Sequence, residues 1–76
     1  MQITSDVTEG ATIVRVHGTK EAWLENYQSL LEYTDESIRV AGKHIEVCVE
    51  GTGMRIEYYG PIDMKIVGTI RKIEFV

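Results

Sequence analysis

From Tyr33 to the final Val76, large apolar side chains fall at nearly every second position, with charged or polar ones between them. A period of two is the mark of a strand with one buried and one wet face. SIRVA puts Ile38 and Val40 on one side and Arg39 on the other. HIEVCVE sets Ile45, Val47 and Val49 against His44, Glu46, Cys48 and Glu50. MRIEYY sets Met54, Ile56 and Tyr58 against Arg55, Glu57 and Tyr59. MKIVG and TIRKIEFV complete the series with Met64, Ile66, Ile70, Ile73 and Phe75. Punctuation separates these runs. TDE at 34–36 reads as a polar turn. Gly42-Lys43 reads as a tight hairpin turn in which glycine supplies the positive φ. Gly51-Thr52-Gly53 reads as another turn, and GPID at 60–63 as a turn built on Gly60 and Pro61. Gly68 suits a bend or a bulge.

Upstream, ATIVRVHG alternates as a strand, with Val14 and Val16 on one face and Gly18 closing it. Residues 1–10 are polar and end in Gly10. They read as an N-terminal arm with a short strand at Ile3, ahead of a single β domain over 11–76. Residues 20–33 admit two readings. Ala22, Trp23, Tyr27, Leu30 and Leu31 fit a helical stripe, and the Glu, Lys, Leu and Gln content favours helix. As strands, Ala22, Leu24, Gln28 and Leu30 share one side, with a kink at Asn26. Pattern alone leans toward the helix.

The connections are too short for crossover helices, so neighbouring strands are expected to be antiparallel. The predicted fold is all-β: an antiparallel meander of about 6–8 short strands forming a small sandwich or two-layer sheet. Ile45, Val47, Ile56, Ile66 and Ile73 are the predicted core. Arg39, Glu46, Glu50, Arg55, Glu57, Lys65, Lys72 and Glu74 make a wet face on which opposite charges can pair across strands.

Length and composition change the picture in one respect. A chain of 76 residues makes one domain. It buries only about 60–65% of its unfolded surface, so an outside support is expected. The single cysteine excludes an internal disulfide, and His17, His44 and Cys48 lack the spacing of a zinc site. Self-association or a protein partner is the remaining support. The strands ATIVRVH and TIRKIEFV are the weakly protected edges that would provide it, most simply as a two-fold dimer.

Eight basic against 12 acidic residues give a net charge of −4, which argues against nucleic acid as a ligand. No apolar run reaches the roughly 18–20 residues of a spanning helix, so direct membrane insertion is not expected. The start MQITSDVTEG has neither a positive region nor an apolar one, and a reducing cytosol is the expected setting.

Candidate chemistry is sparse. His17 and His44 sit at strand ends without a partner at a defined spacing. Cys48 lies on the polar face, with His44 about 13 Å along the same strand. Asp35 and Glu36 belong to a turn. GTGMRI is followed by no helix and no Lys-Ser/Thr, so it is not a phosphate loop. No catalytic, cofactor-binding or metal-binding residue is assigned. One of the adjacent Tyr58 and Tyr59 is expected in the core and the other at the surface. Trp23, Tyr27, Tyr59 and Phe75 are the candidate interface residues, since aromatic side chains anchor protein contacts.

LENYQSLLEYTDESIRV carries a resemblance. Leu24-Glu25-Asn26-Tyr27, then Leu30-Leu31-Glu32-Tyr33-Thr34-Asp35-Glu36-Ser37-Ile38-Arg39-Val40, then Gly51-Thr52-Gly53-Met54-Arg55-Ile56 and the terminal Ile66 to Phe75 follow one another in the order of the YabP/YqfC family of sporulation proteins. The chain looks closest to the YqfC branch. It departs from the usual pattern in a shorter connection, Ala41-Gly42-Lys43, and in Ser29 where many members have glycine. The resemblance covers about residues 11–76 and implies two bent strands, not a helix, over 20–33.

It also implies a non-enzymatic factor made in the mother-cell cytoplasm of an endospore-forming bacterium. Such a factor would act as a protein–protein interaction or assembly module, held at the forespore membrane through a sporulation membrane protein. It brings no catalytic residues. A small-molecule-binding β domain is the alternative from another functional class, and a cysteine-dependent enzyme based on Cys48 is a third.

Overall fold

The structure is a computed structural model and describes residues 10–76. All but the last residue of the 1–10 arm, including the strand expected at Ile3, lies outside the described residues. Six strands follow: β1 (Ile13–His17), β2 (Glu21–Glu25), β3 (Ser29–Tyr33), β4 (Ser37–Gly42), β5 (Ile45–Tyr59) and β6 (Asp63–Phe75). They form one antiparallel sheet in the order β1-β2-β6-β5-β4-β3. The predicted all-β meander is what the chain folds into. Residues 20–33 form β2 and β3, with Asn26 at φ 64° making the corner between them. The helical stripe loses to the strand pattern because Ala22 and Leu24, two residues apart, are the ones fully buried.

The two long strands organise the sheet. β5 spans 15 residues and β6 spans 13. The first half of β6 pairs with β2 and the first half of β5 pairs with β4. At mid-length both strands bend. The expected GTG turn is therefore absent: Gly51 and Gly53 lie inside β5, at register shifts opposite Thr69 and Ile70. Gly53 (φ 58°) and Gly68 (φ 138°) hold conformations that side-chain-bearing residues avoid. The β1–β2 and β3–β4 loops close over the bend. Lys20 and Thr19 carbonyls accept from Gly68 and Ile70 N–H, and Glu36 and Asp35 carbonyls accept from Gly51 and Met54 N–H.

Bending brings the apolar faces of both halves into one core of Ala22, Leu24, Tyr27, Ile38, Val40, Val47, Val49, Met54, Met64, Ile66 and Ile70. Of the predicted core residues, Val47 and Ile66 are fully buried, while Ile45, Ile56 and Ile73 are only half-buried. Ile56 lies where its N–H meets the Tyr33 hydroxyl at 2.9 Å, at an open side of the fold. Ile73 belongs to the half of β6 that pairs with β5 alone among the described residues.

The outer face carries the expected cross-strand ion pairs. Arg39 Nε donates to Glu46 at 2.7 Å and its guanidinium lies 3.5 Å from Glu32, while Lys65 reaches Glu57 at 2.9 Å.

One further expectation is corrected. In the β4–β5 turn the left-handed residue is His44 (φ 63°), not Gly42. Gly42 is needed for space, because a Cβ there would sit 1.9 Å from Thr12 Oγ1. Both expected edges are open among the described residues: β1 is an outer strand of the sheet, as is β3, and β6 pairs with β5 alone over Lys72–Phe75, while Asp63–Val67 of the same strand lie inside the sheet.

Candidate functional site

The β5–β6 hairpin ends in Gly60-Pro61-Ile62, where the Gly60 N–H donates to the Asp63 carbonyl at 2.7 Å. Strand register sorts the aromatic residues around this tip. Arg15, Trp23, Lys65 and Tyr58 stand side by side across β1, β2, β6 and β5. Val14, Leu24, Met64 and Tyr59 form the adjacent row, which faces inward because Leu24 and Met64 are fully buried. Alternation along β5 thus sends Tyr58 outward and Tyr59 toward the core side.

On the outer face the Trp23 and Tyr58 rings meet at 6.1 Å between centroids, and the Lys65 ammonium lies 5.7 Å from the Trp23 ring. Trp23 Nε1 donates to Glu21 at 2.9 Å. That bond and the Lys65 charge hold the Glu21 carboxyl below its usual range. The Glu57 hydrogen bond, helped by Glu21, raises Lys65. These groups lock one another into an ion-paired, aromatic-backed row.

On the inner side Tyr27 stacks on Tyr59 at 6.0 Å, and the Tyr27 hydroxyl donates to the Gly60 carbonyl at 2.5 Å. Burial, then the neighbouring Tyr59, pushes the Tyr27 phenol up to about 12.

Three of the four predicted interface residues therefore gather at one end of the molecule. Trp23 is half-buried on the outer face. Tyr59 is exposed at 59%. Tyr27 is a correction: it is 6% exposed and supports the tip from within, because its ring is covered by Tyr59 and its hydroxyl ties down Gly60. Phe75 is exposed but sits opposite Val47, at the far end of the long hairpin. The expectation of one core and one surface tyrosine at 58 and 59 also fails, since both are exposed.

The residue that sequence reasoning missed is Ile62, at 60% exposure in the tip. Its signal was present in GPID: turns lie at the surface, so an apolar side chain inside one has nothing of its own fold to cover it.

An open groove of about 660 Å³ lies beside the bend, lined by Lys20, Glu21, Thr52, Glu57, Lys65 and Thr69 among others. Its cations are already engaged, Lys20 with the Thr69 hydroxyl at 2.9 Å and Lys65 with Glu57. Cys48 lies elsewhere, with its sulfur 3.7 Å from Glu50. Burial pushes its thiol up, the opposite of what activates a cysteine. Among the described residues, no three acidic, histidine or cysteine side chains come together as metal ligands, and no helix is long and apolar enough to cross a membrane.

Comparison with protein families, curated proteins and solved structures finds no match.

Proposed function

We propose that this protein is a non-enzymatic assembly module of endospore formation, of the YabP/YqfC kind. It works in the mother-cell cytoplasm, associates with itself, and docks on a protein partner, a membrane protein of the sporulation programme. The partner holds it at the forespore membrane. The observation that carries the docking role is the tip itself: Tyr59 and Ile62 stand exposed at 59% and 60% on a hairpin end backed by Trp23, Tyr27 and Tyr58. Exposed apolar and aromatic side chains on a rigid base are what protein interfaces are built from. The sporulation setting rests on the family resemblance of residues 11–76.

The test is a pull-down from sporulating cells with the parent chain and with a Tyr59→Ser, Ile62→Ser variant. Both substitutions are at exposed positions; because Tyr59 covers the Tyr27 ring, circular dichroism first checks that the variant keeps the parent's fold. A sporulation membrane protein retained by the parent and lost by the variant supports the reading. Equal retention by both moves the docking surface elsewhere, and no such protein on the parent removes the partner. A small-molecule-binding β domain is the second reading, motivated by the groove at the bend. It is the weaker one, because the groove is open and its lysines are satisfied by the protein's own side chains.

A further inference from the structure

β6 has neighbours on both sides over Asp63–Val67 but pairs only with β5 over Lys72–Phe75, among the described residues. The direction of its free backbone groups follows from one pair. Val76 and Glu46 exchange both backbone hydrogen bonds, at 2.9 and 3.1 Å. Alternation then turns the backbone of Glu74 and Lys72 toward Cys48 and Glu50 of β5. It leaves the N–H and C=O of Ile73 and Phe75 pointing away from the sheet. On that open side the β1–β2 loop satisfies Gly68 and Ile70 and reaches no further. The extra residue Arg71, between Ile70 and Lys72, shifts the alternation from even to odd positions.

We propose that this edge pairs with the same edge of a second copy, antiparallel about a two-fold axis at Ile73. The proposal deepens the self-association reading above by assigning its surface and register. In this register the two Ile73 backbones exchange hydrogen bonds, and each Phe75 N–H meets the opposite Arg71 carbonyl. Lys72 stands opposite Glu74 of the other copy, twice over. Unlike charges directly across an antiparallel pair attract, and like charges repel.

The competing arrangements are worse. An axis at Glu74 sets two carboxylates face to face. Self-pairing of β1 about its centre opposes Arg15 with Arg15. The β3 edge is interrupted by a bulge between Leu30 and Glu32, a standard protection against pairing. Phe75 and Val76, at 53% and 76% exposure, lie uncovered beside the proposed seam.

Sedimentation of the full chain tests this, carried to high concentration because a short seam of this kind is weak, with a Kd on the order of 0.1–1 mM. The parent is expected to dimerise. Lys72→Glu and Glu74→Lys should each weaken the dimer roughly tenfold or more, since each turns two attractive pairs into repulsive ones. An equimolar mixture of the two single variants should form a heterodimer, as should the doubly exchanged chain form a homodimer. Ile73→Pro should abolish association while circular dichroism keeps its β signature: the N–H it removes is not used by β5, and trimming the half-buried side chain lowers stability without unpairing β5 and β6.

A dimer of parental strength in all of these variants overturns the edge assignment but leaves self-association standing. A parent that remains monomeric at about 1 mM overturns both. Neither result touches the partner reading, whose test is the pull-down.

Discussion

A Cβ built on Gly68 would sit 2.6 Å from the Cα of Met54. β6 thus crosses the inner side of the bend in β5 backbone against backbone, and the fold of the whole sheet depends on that approach. The same Cβ would lie 2.7 Å from the Gly53 carbonyl oxygen, and Gly68 has φ 138°. Gly68→Ala combines a backbone clash with a disfavoured conformation, and is expected to cost about 3 kcal/mol or more. Gly18 supplies the control. It has φ 62° but open space around its Cβ position, so Gly18→Ala should cost only about 1 kcal/mol. Urea titration of both variants measures the gap, and equal costs would remove the bend as a packing constraint.

Burial ranks the isoleucines. Ile66 is fully buried and pairs with both Ala22 and Ile56, whereas Ile56 itself is half-buried at the open side near Tyr33. Ile66→Ala should cost about 3–5 kcal/mol and Ile56→Ala about 1–2 kcal/mol. For a domain this small the first is a large part of the total stability. Reversal of that order in denaturant unfolding would contradict the assignment of the core.

The strands of β4, β5 and β6 were legible because a two-residue period survives in sequence wherever one face is wet. The bend was not. Gly51-Thr52-Gly53 has the composition of a turn, and nothing local distinguishes a chain that reverses from one that folds over. The difference lies in Thr69, Ile70 and Gly68 across the ladder, which no short-range pattern contains.

Tyr27 illustrates the same limit at the site. Its aromatic character marked it for an interface, but the Gly60 carbonyl that takes its hydroxyl is 33 residues away. The half-burial of Ile73 likewise follows from how far β2 and its loop extend along β6.

Arg39 bridges Glu32 on β3 and Glu46 on β5, and the Glu46 hydrogen bond raises its pKa. The group is substantially solvated, so its worth is modest. Arg39→Ala is expected to destabilise the fold slightly at low salt. The difference from the parent should shrink as ionic strength rises toward 1 M, where screening acts within about 3 Å. A cost independent of salt would assign the effect to the packing of the arginine stem instead.

The Tyr27 phenol is pushed up to about 12 by burial and by Tyr59. An unfolded tyrosine titrates near 10. The folded state therefore keeps this proton where the unfolded state gives it up. Stability then falls with rising pH between these two values, because the unfolded chain binds fewer protons there. The contribution is fully present below pH ~10 and is lost as the pH rises through about 12, and a gap of this size corresponds to roughly 2–3 kcal/mol.

Other tyrosines and lysines titrate in the same window, so the decisive comparison is with Tyr27→Phe. That variant should be less stable at pH 8 by about 1 kcal/mol, since the Gly60 carbonyl loses its donor. Its stability should then decline less steeply than the parent's across the alkaline range, and the two curves should converge. Parallel curves from pH 8 to 12 would show that the Tyr27 proton is not held by the fold.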